Sequence, residues 1–199
     1  MAALTSGLSL IQSAVGYAVT AARPATTAML AEPTPCGGWD LELLLAHVAD
    51  SMDVLTEAIA AGSVGSGKGE SSYALGESPV ESLHRAASRL LAACADPESV
   101  ERVVVIGDRR LAASVTAVTG ALEITVHGWD IAAACRTSQP VPPGLAVVLL
   151  AIAPVLITPA IRPGLFADPV RVPSRCGPGD QLVAFLGRHP RRPAPHDAA

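Results

Sequence analysis

Two stretches of this chain repeat apolar residues at helical spacing, and that pattern restricts the fold to packed helices. In the first, Leu41, Leu44, Val48, Met52, Leu55 and Ile59 recur every three or four residues. In the second the stripe is Leu111, Val115, Val118, Leu122, Val126 and Trp129. A period near 3.6 lines such positions along one helix face, which must be buried against other helices. Glu42, Asp50, Asp53 and Glu57 fall on the other side of the first stretch, as a solvated face requires.

Boundary signals extend the helical reading along the chain. A first helix is expected over about Leu4 to Ala22, stopped by Arg23-Pro24. A loop with Pro and Gly, Glu32 to Gly38, leads to a second helix from the N-cap Asp40 to about Ala60. Gly62 to Gly76 reads as a mobile Gly/Ser loop. Ser78-Pro79-Val80-Glu81 is a capping-box signature that opens a third helix ending near Ala95. Val103 to Ile106 is β-like, and the next helix is expected over about Leu111 to Ala134. Another spans about Leu145 to Ile161 with a kink at Pro154, and Leu182 to Leu186 suggests a last short one. The expected architecture is all-α, an up-and-down bundle with one or two long crossovers and short extra helices at the C-terminus. Residues 1–189 form one domain on this reading, and 190–199, rich in Pro, Arg and Ala, a disordered tail.

Composition narrows the class of function. The net charge is −4 with no basic patch, so no nucleic-acid partner is expected. Leu145 to Ile157 is almost wholly apolar but shorter than the roughly twenty residues of a membrane span. Met1 to Arg23 has no basic leader, and Cys36, Cys94, Cys135 and Cys176 form no C-x-x-C pair. A cytoplasmic protein with reduced thiols and no membrane partner is the resulting expectation.

The chemistry concentrates in two motifs. Glu123 and His127 are four residues apart and share a helix face, so they can grip one ion. His47 can add a third ligand from another helix, leaving a tetrahedral metal one open position, the layout of a catalytic site. Read alone, Glu-x-x-x-His is more often a solvated pair, and His47, on an apolar half, a core histidine bonded to a carbonyl. Thr116, Thr119, Glu123, His127 and Asp130 form a polar ridge that fits a cleft wall or an exposed flank. Asp130 can orient His127, or serve as a surface carboxylate or a partner for Arg136. Cys36, just before the second helix, is read as a turn residue ahead of a dipole-activated thiol. Trp39 and Trp129 can wall a pocket or fill core. His84 reads as solvated, and His189 and His196 belong to no cluster.

Taken in order, Thr34-Pro35-Cys36-Gly37-Gly38-Trp39, Leu44-Leu45-Ala46-His47 and Glu123-x-x-x-His127-Gly128-Trp129-Asp130 resemble the mycothiol-dependent maleylpyruvate isomerase N-terminal family of the DinB-like superfamily. Phe166 to Val170 and Leu186-Gly187-Arg188-His189-Pro190 resemble its short, single-domain actinobacterial members. The resemblance implies a DinB-like four-helix bundle and a divalent metal, usually zinc, on His47, Glu123 and His127. It implies mycothiol or bacillithiol as co-substrate, bound as a thiolate that adds to a small electrophile or assists an isomerisation. Cys135-Arg136 stands where the family closes its second motif helix with Thr-Gly. The expected function is a thiol-dependent transferase or isomerase on a small-molecule substrate, with Asp130 orienting His127. A bundle recruited as a biosynthetic cyclase, and a non-catalytic metal-binding protein, are the rival readings, and a homodimer is compatible with either.

Overall fold

The computed structural model describes residues 7–64, 77–96, 103–106 and 109–190. Four long helices make the bundle: α1 (Gly7–Ala22), α2 (Leu41–Ala61), α3 (Pro79–Cys94) and α4 (Ala113–Ala134). α1 packs on α3 and α4, and α2 packs on the same two, so α1 and α2 lie diagonally across the core. The connections between α1 and α2, and between α3 and α4, are therefore the long crossovers. α5 (Pro143–Leu156) and α6 (Pro178–Phe185) pack on each other beside the bundle. The all-α bundle expected from the sequence is the fold observed.

Local signals act as their chemistry dictates. The Asp40 carboxylate accepts the Leu43 N–H at 2.9 Å and caps α2, which closes on Gly62 in the left-handed region (φ 68°). Ser78 and Glu81 form a reciprocal capping box at α3. α4 ends on Arg136, whose φ of 56° is the one positive value at a non-glycine among the described residues. The Thr137 and Arg136 N–H groups donate back to Ala132 and Ala133, a Schellman closure in which arginine holds the place glycine usually takes.

Three expectations need correction. Leu111 does not begin a helix: it belongs to β3 (Arg109–Ala112), antiparallel to β2 (Val103–Ile106), which runs parallel to β1 (Ser63–Val64). This small sheet buries Val104 against Ala58 and Val64. β1 also occupies part of the expected Gly62–Gly76 loop, whose remainder (65–76) lies outside the described residues, as does the expected tail beyond residue 190. The helix expected to reach Ile161 stops at Leu156, two residues after Pro154, whose ring nitrogen cannot donate to the preceding turn. Finally, the deep face of α4 is not the large-residue stripe. Val115 is exposed, whereas Ala117, Ala121, Ile124 and Ile131 are fully buried; of the stripe, Leu122 and Val126 are buried too.

That small-residue face brings α4 close to α1. A Cβ on Gly128 would lie 3.0 Å from the Tyr17 ring and 3.1 Å from the Ala18 Cα, so α4 rests directly on the backbone of α1. On α1, Ala14, Ala18 and Ala21 are fully buried. Leu122 and Val126, one face over, are thereby turned toward a cavity at the side of the bundle.

Candidate metal centre

The cavity encloses about 800 Å³, and its polar end is built from α2, α4 and the loop before α2. His47 reaches in from α2 and Glu123 and His127 from successive turns of α4. The three meet at one point: Glu123 Oε1 lies 2.8 Å from His47 Nε2 and 3.2 Å from His127 Nε2. Their donor atoms all fall within 4.8 Å of one another. Tetrahedral N and O ligands of a zinc-sized ion sit roughly 3.4 Å apart, so the donor set fits a divalent cation with little movement. His47 is accordingly not a core histidine bonded to a carbonyl.

The imidazole of His127 is held from behind. Its Nδ1 faces Asp130 Oδ2 at 3.1 Å, which fixes the proton on Nδ1 and leaves Nε2 free to act as a ligand. Asp130 is fully buried and does not line the cavity, so it meets the cavity only through the side chains it bonds. It does not pair with Arg136, which bonds Glu32 at 3.0 Å instead. Its cationic partner is Arg188, just after α6, through Nη2 to Oδ2 at 2.8 Å and Nε to Oδ1 at 3.2 Å. Arg188 also donates from Nη1 to the Leu186 carbonyl, so each of its three nitrogens is engaged. Spacing arguments could not find this residue; the Leu-Gly-Arg-His-Pro segment was its one signal.

Charge follows the geometry. Burial disfavours an ionised Glu123, yet hydrogen bonds from His127 and His47 outweigh it and hold the carboxyl well below the usual carboxylate range. Burial likewise opposes charge on His127, but bonding to Asp130 and then Glu123 lifts it from 6.5 to about 9. Burial pushes the Cys36 thiol up, with Asp130 adding to the effect and Arg188 opposing it, so the helix start does not acidify it. Cys36 works as a turn residue: the Trp39 N–H donates to its carbonyl, and its own N–H donates to the Thr34 hydroxyl. None of the four cysteines forms a disulfide with another of them.

Trp39 walls the site. Its ring centroid lies 4.7 Å from that of His47 and 6.1 Å from that of His127. Of the expected polar ridge, Thr119, Glu123 and His127 line the cavity, whereas Thr116 and Asp130 are buried outside its lining. Trp129 instead faces a second cavity of about 560 Å³, bordered by Arg136, Gln139 and His189, that contains none of the three donors. Arg188 stands between the two cavities. His84 is exposed, and His196 lies outside the described residues.

The far end of the large cavity is apolar. Leu156 and Ile157 close α5, and Ile161, Leu165 and Phe166 follow from the segment leading to α6. Two contacts fix that segment. Arg162 donates to the carbonyls of Ala167 (2.7 Å) and Phe185 (3.1 Å), with its guanidinium 4.9 Å from the Phe185 ring centroid. Gly187, at φ 83°, lies so close that a Cβ would stand 2.7 Å from the Ala167 carbonyl oxygen.

Among known proteins, two uncharacterized proteins of Mycobacterium tuberculosis, from strains CDC 1551 and H37Rv, are each 31% identical over 172 residues. The match covers 80% of this chain and 85% of each relative. No solved structure matches the chain. Among the described residues, no helix is long and apolar enough to cross a membrane. Residues 13–132, which carry His47, Glu123, His127 and Asp130, match the family described as the mycothiol maleylpyruvate isomerase N-terminal domain, and the chain belongs to that family.

Proposed function

We propose that the protein is a divalent-metal-dependent enzyme that uses a low-molecular-weight thiol of the mycothiol kind to attack or isomerise a small electrophile. The observation that carries this reading is the convergence of His47 Nε2 and His127 Nε2 on one oxygen of Glu123 in the wall of an open cavity. A zinc-like cation on those three donors would lower a thiol's pKa and polarise a carbonyl oxygen.

The chain's own residues do the rest. Asp130 keeps the proton on His127 Nδ1, so the other ring nitrogen stays a ligand. Arg188 balances the buried Asp130 charge, which would otherwise hold the second imidazole proton still more tightly against an incoming metal. Trp39 packs edge-on against His47 and stacks toward His127, which restricts how the two imidazoles can turn. The Cys36 thiol, raised by burial, stays neutral and does not compete as a nucleophile.

The test is metal content measured beside thiol-dependent turnover. Purified protein should carry about one divalent ion per chain, and His127→Ala and His47→Ala should each lose both the ion and thiol consumption. Full metal occupancy in both variants would refute the ligand assignment. A metal-loaded protein that consumes no mycothiol with any electrophile would refute the thiol reading.

A further inference from the structure

The cavity also speaks to what the thiol attacks. Among the described lining residues Arg188 is the one arginine, and there is no lysine. Its charge is spent on Asp130, and each of its nitrogens already donates. An anionic substrate would therefore meet no unengaged cationic side chain there. The charges balance without one: a divalent cation with Glu123, Asp130 and Arg188 leaves a single positive charge, and one thiolate cancels it.

Much of the remaining lining is hydrocarbon. Leu156, Ile157, Ile161, Leu165 and Phe166 line the same space from beyond α4. Ile161 is 47% exposed and Leu165 68%, although both are large apolar side chains at the cavity rim. Their segment is pinned by Arg162 and by the close approach of Gly187, so this exposure is a built feature. A concave apolar wall opposite one polar cluster is the layout of a small-molecule site that reads shape and burial.

We infer that the electrophile is an uncharged small molecule with an alkyl or aryl body, of the enone type, and that small dicarboxylates are poor ligands. The inference rests on the thiol-dependent reading above. The reaction balances without an oxidant or reductant. The thiol S–H adds across the activated C=C bond: sulfur bonds the β-carbon, the π pair moves to the α-carbon, and the proton given up by sulfur ends there as a C–H bond.

Binding is measured on the metal-loaded full chain with N-phenyl-1-naphthylamine, an uncharged fluorescent probe, displaced by unreactive 2-alkanones of increasing length and by maleate. Affinity for the ketones should rise about fourfold per methylene until the wall is filled, which is the worth of one buried CH₂. Maleate should displace the probe at least tenfold less well than the longest ketone. Leu165→Asp, a change at an exposed position that leaves the core intact, should flatten the ketone series. Equal or better displacement by maleate, or a ketone series with no length dependence, would overturn the inference. Turnover separates the two ideas: mycothiol is supplied with alkyl vinyl ketones or with maleate, and product is counted. Conjugation of maleate alone would overturn this inference and keep the thiol reading. The expected ketone pattern with no thiol consumption would do the reverse.

Discussion

Asp130 is surrounded by donors it cannot do without: His127 on one side and the two-pronged Arg188 on the other, all of them buried. Arg188→Met strands a carboxylate with no water to rehydrate it, and should cost about 3–5 kcal/mol in urea unfolding. A loss below about 1 kcal/mol would mean that water reaches the site. Asp130→Asn keeps the shape but weakens the grip on the proton at His127 Nδ1, and should lower metal affinity about 10–100-fold by competition with a chelating dye. The pH response has a definite sign. In the metal-free chain the His127 pKa is raised from 6.5 to about 9, so its stabilising effect is complete below 6.5 and disappears as pH rises through about 9. Metal must displace that proton, so metal affinity should climb over the same interval. Urea midpoints of the chelator-treated and loaded protein should thus diverge between pH 6.5 and 9; parallel curves would show that His127 is not a ligand. His47, Glu123, His127 and Asp130 were legible because two sit four residues apart on one helix and the motifs resemble a family. Arg188 was not, because a contact 58 residues from Asp130 has no periodicity to betray it.

Helices supply the precision that these side chains need. Gly128 is adjacent to His127 and seats α4 on α1, so Gly128→Val should push the helices apart, costing about 1–3 kcal/mol by overpacking and weakening metal binding in parallel. Unchanged thermal unfolding would show that the interface is loose. At the other end of α4, Arg136→Gly should stabilise by about 1 kcal/mol, since glycine carries no penalty in the left-handed region and the lost ion pair with Glu32 is exposed. Caps at Asp40 and Ser78 were readable because their chemistry is local. The sheet was only half readable. Val103 to Ile106 announced a strand, but Leu111 fits a helical stripe as well as a strand, and its pairing with Val104 is a tertiary fact. The stripe on α4 misled for a related reason: periodicity finds large apolar residues, whereas the closest packing here is made by alanine and glycine.

At the scale of the molecule, the ion is expected to act as a clasp between α2 and α4. Saturation at about 100-fold above the dissociation constant should add about 2.7 kcal/mol, or about 5–10 °C in melting temperature for a chain of this size, reversed by a chelator and absent in His127→Ala. No shift on loading would argue against a site shared by both helices. The family match ends at residue 132, whereas Leu156, Ile161, Leu165 and Phe166 come from later in the chain. The three proposed metal ligands and five of the apolar lining residues thus lie in different stretches of the sequence. On the proposed function, substitutions among Leu156, Ile161, Leu165 and Phe166 would change which compound fits while His47, Glu123 and His127 stayed in place.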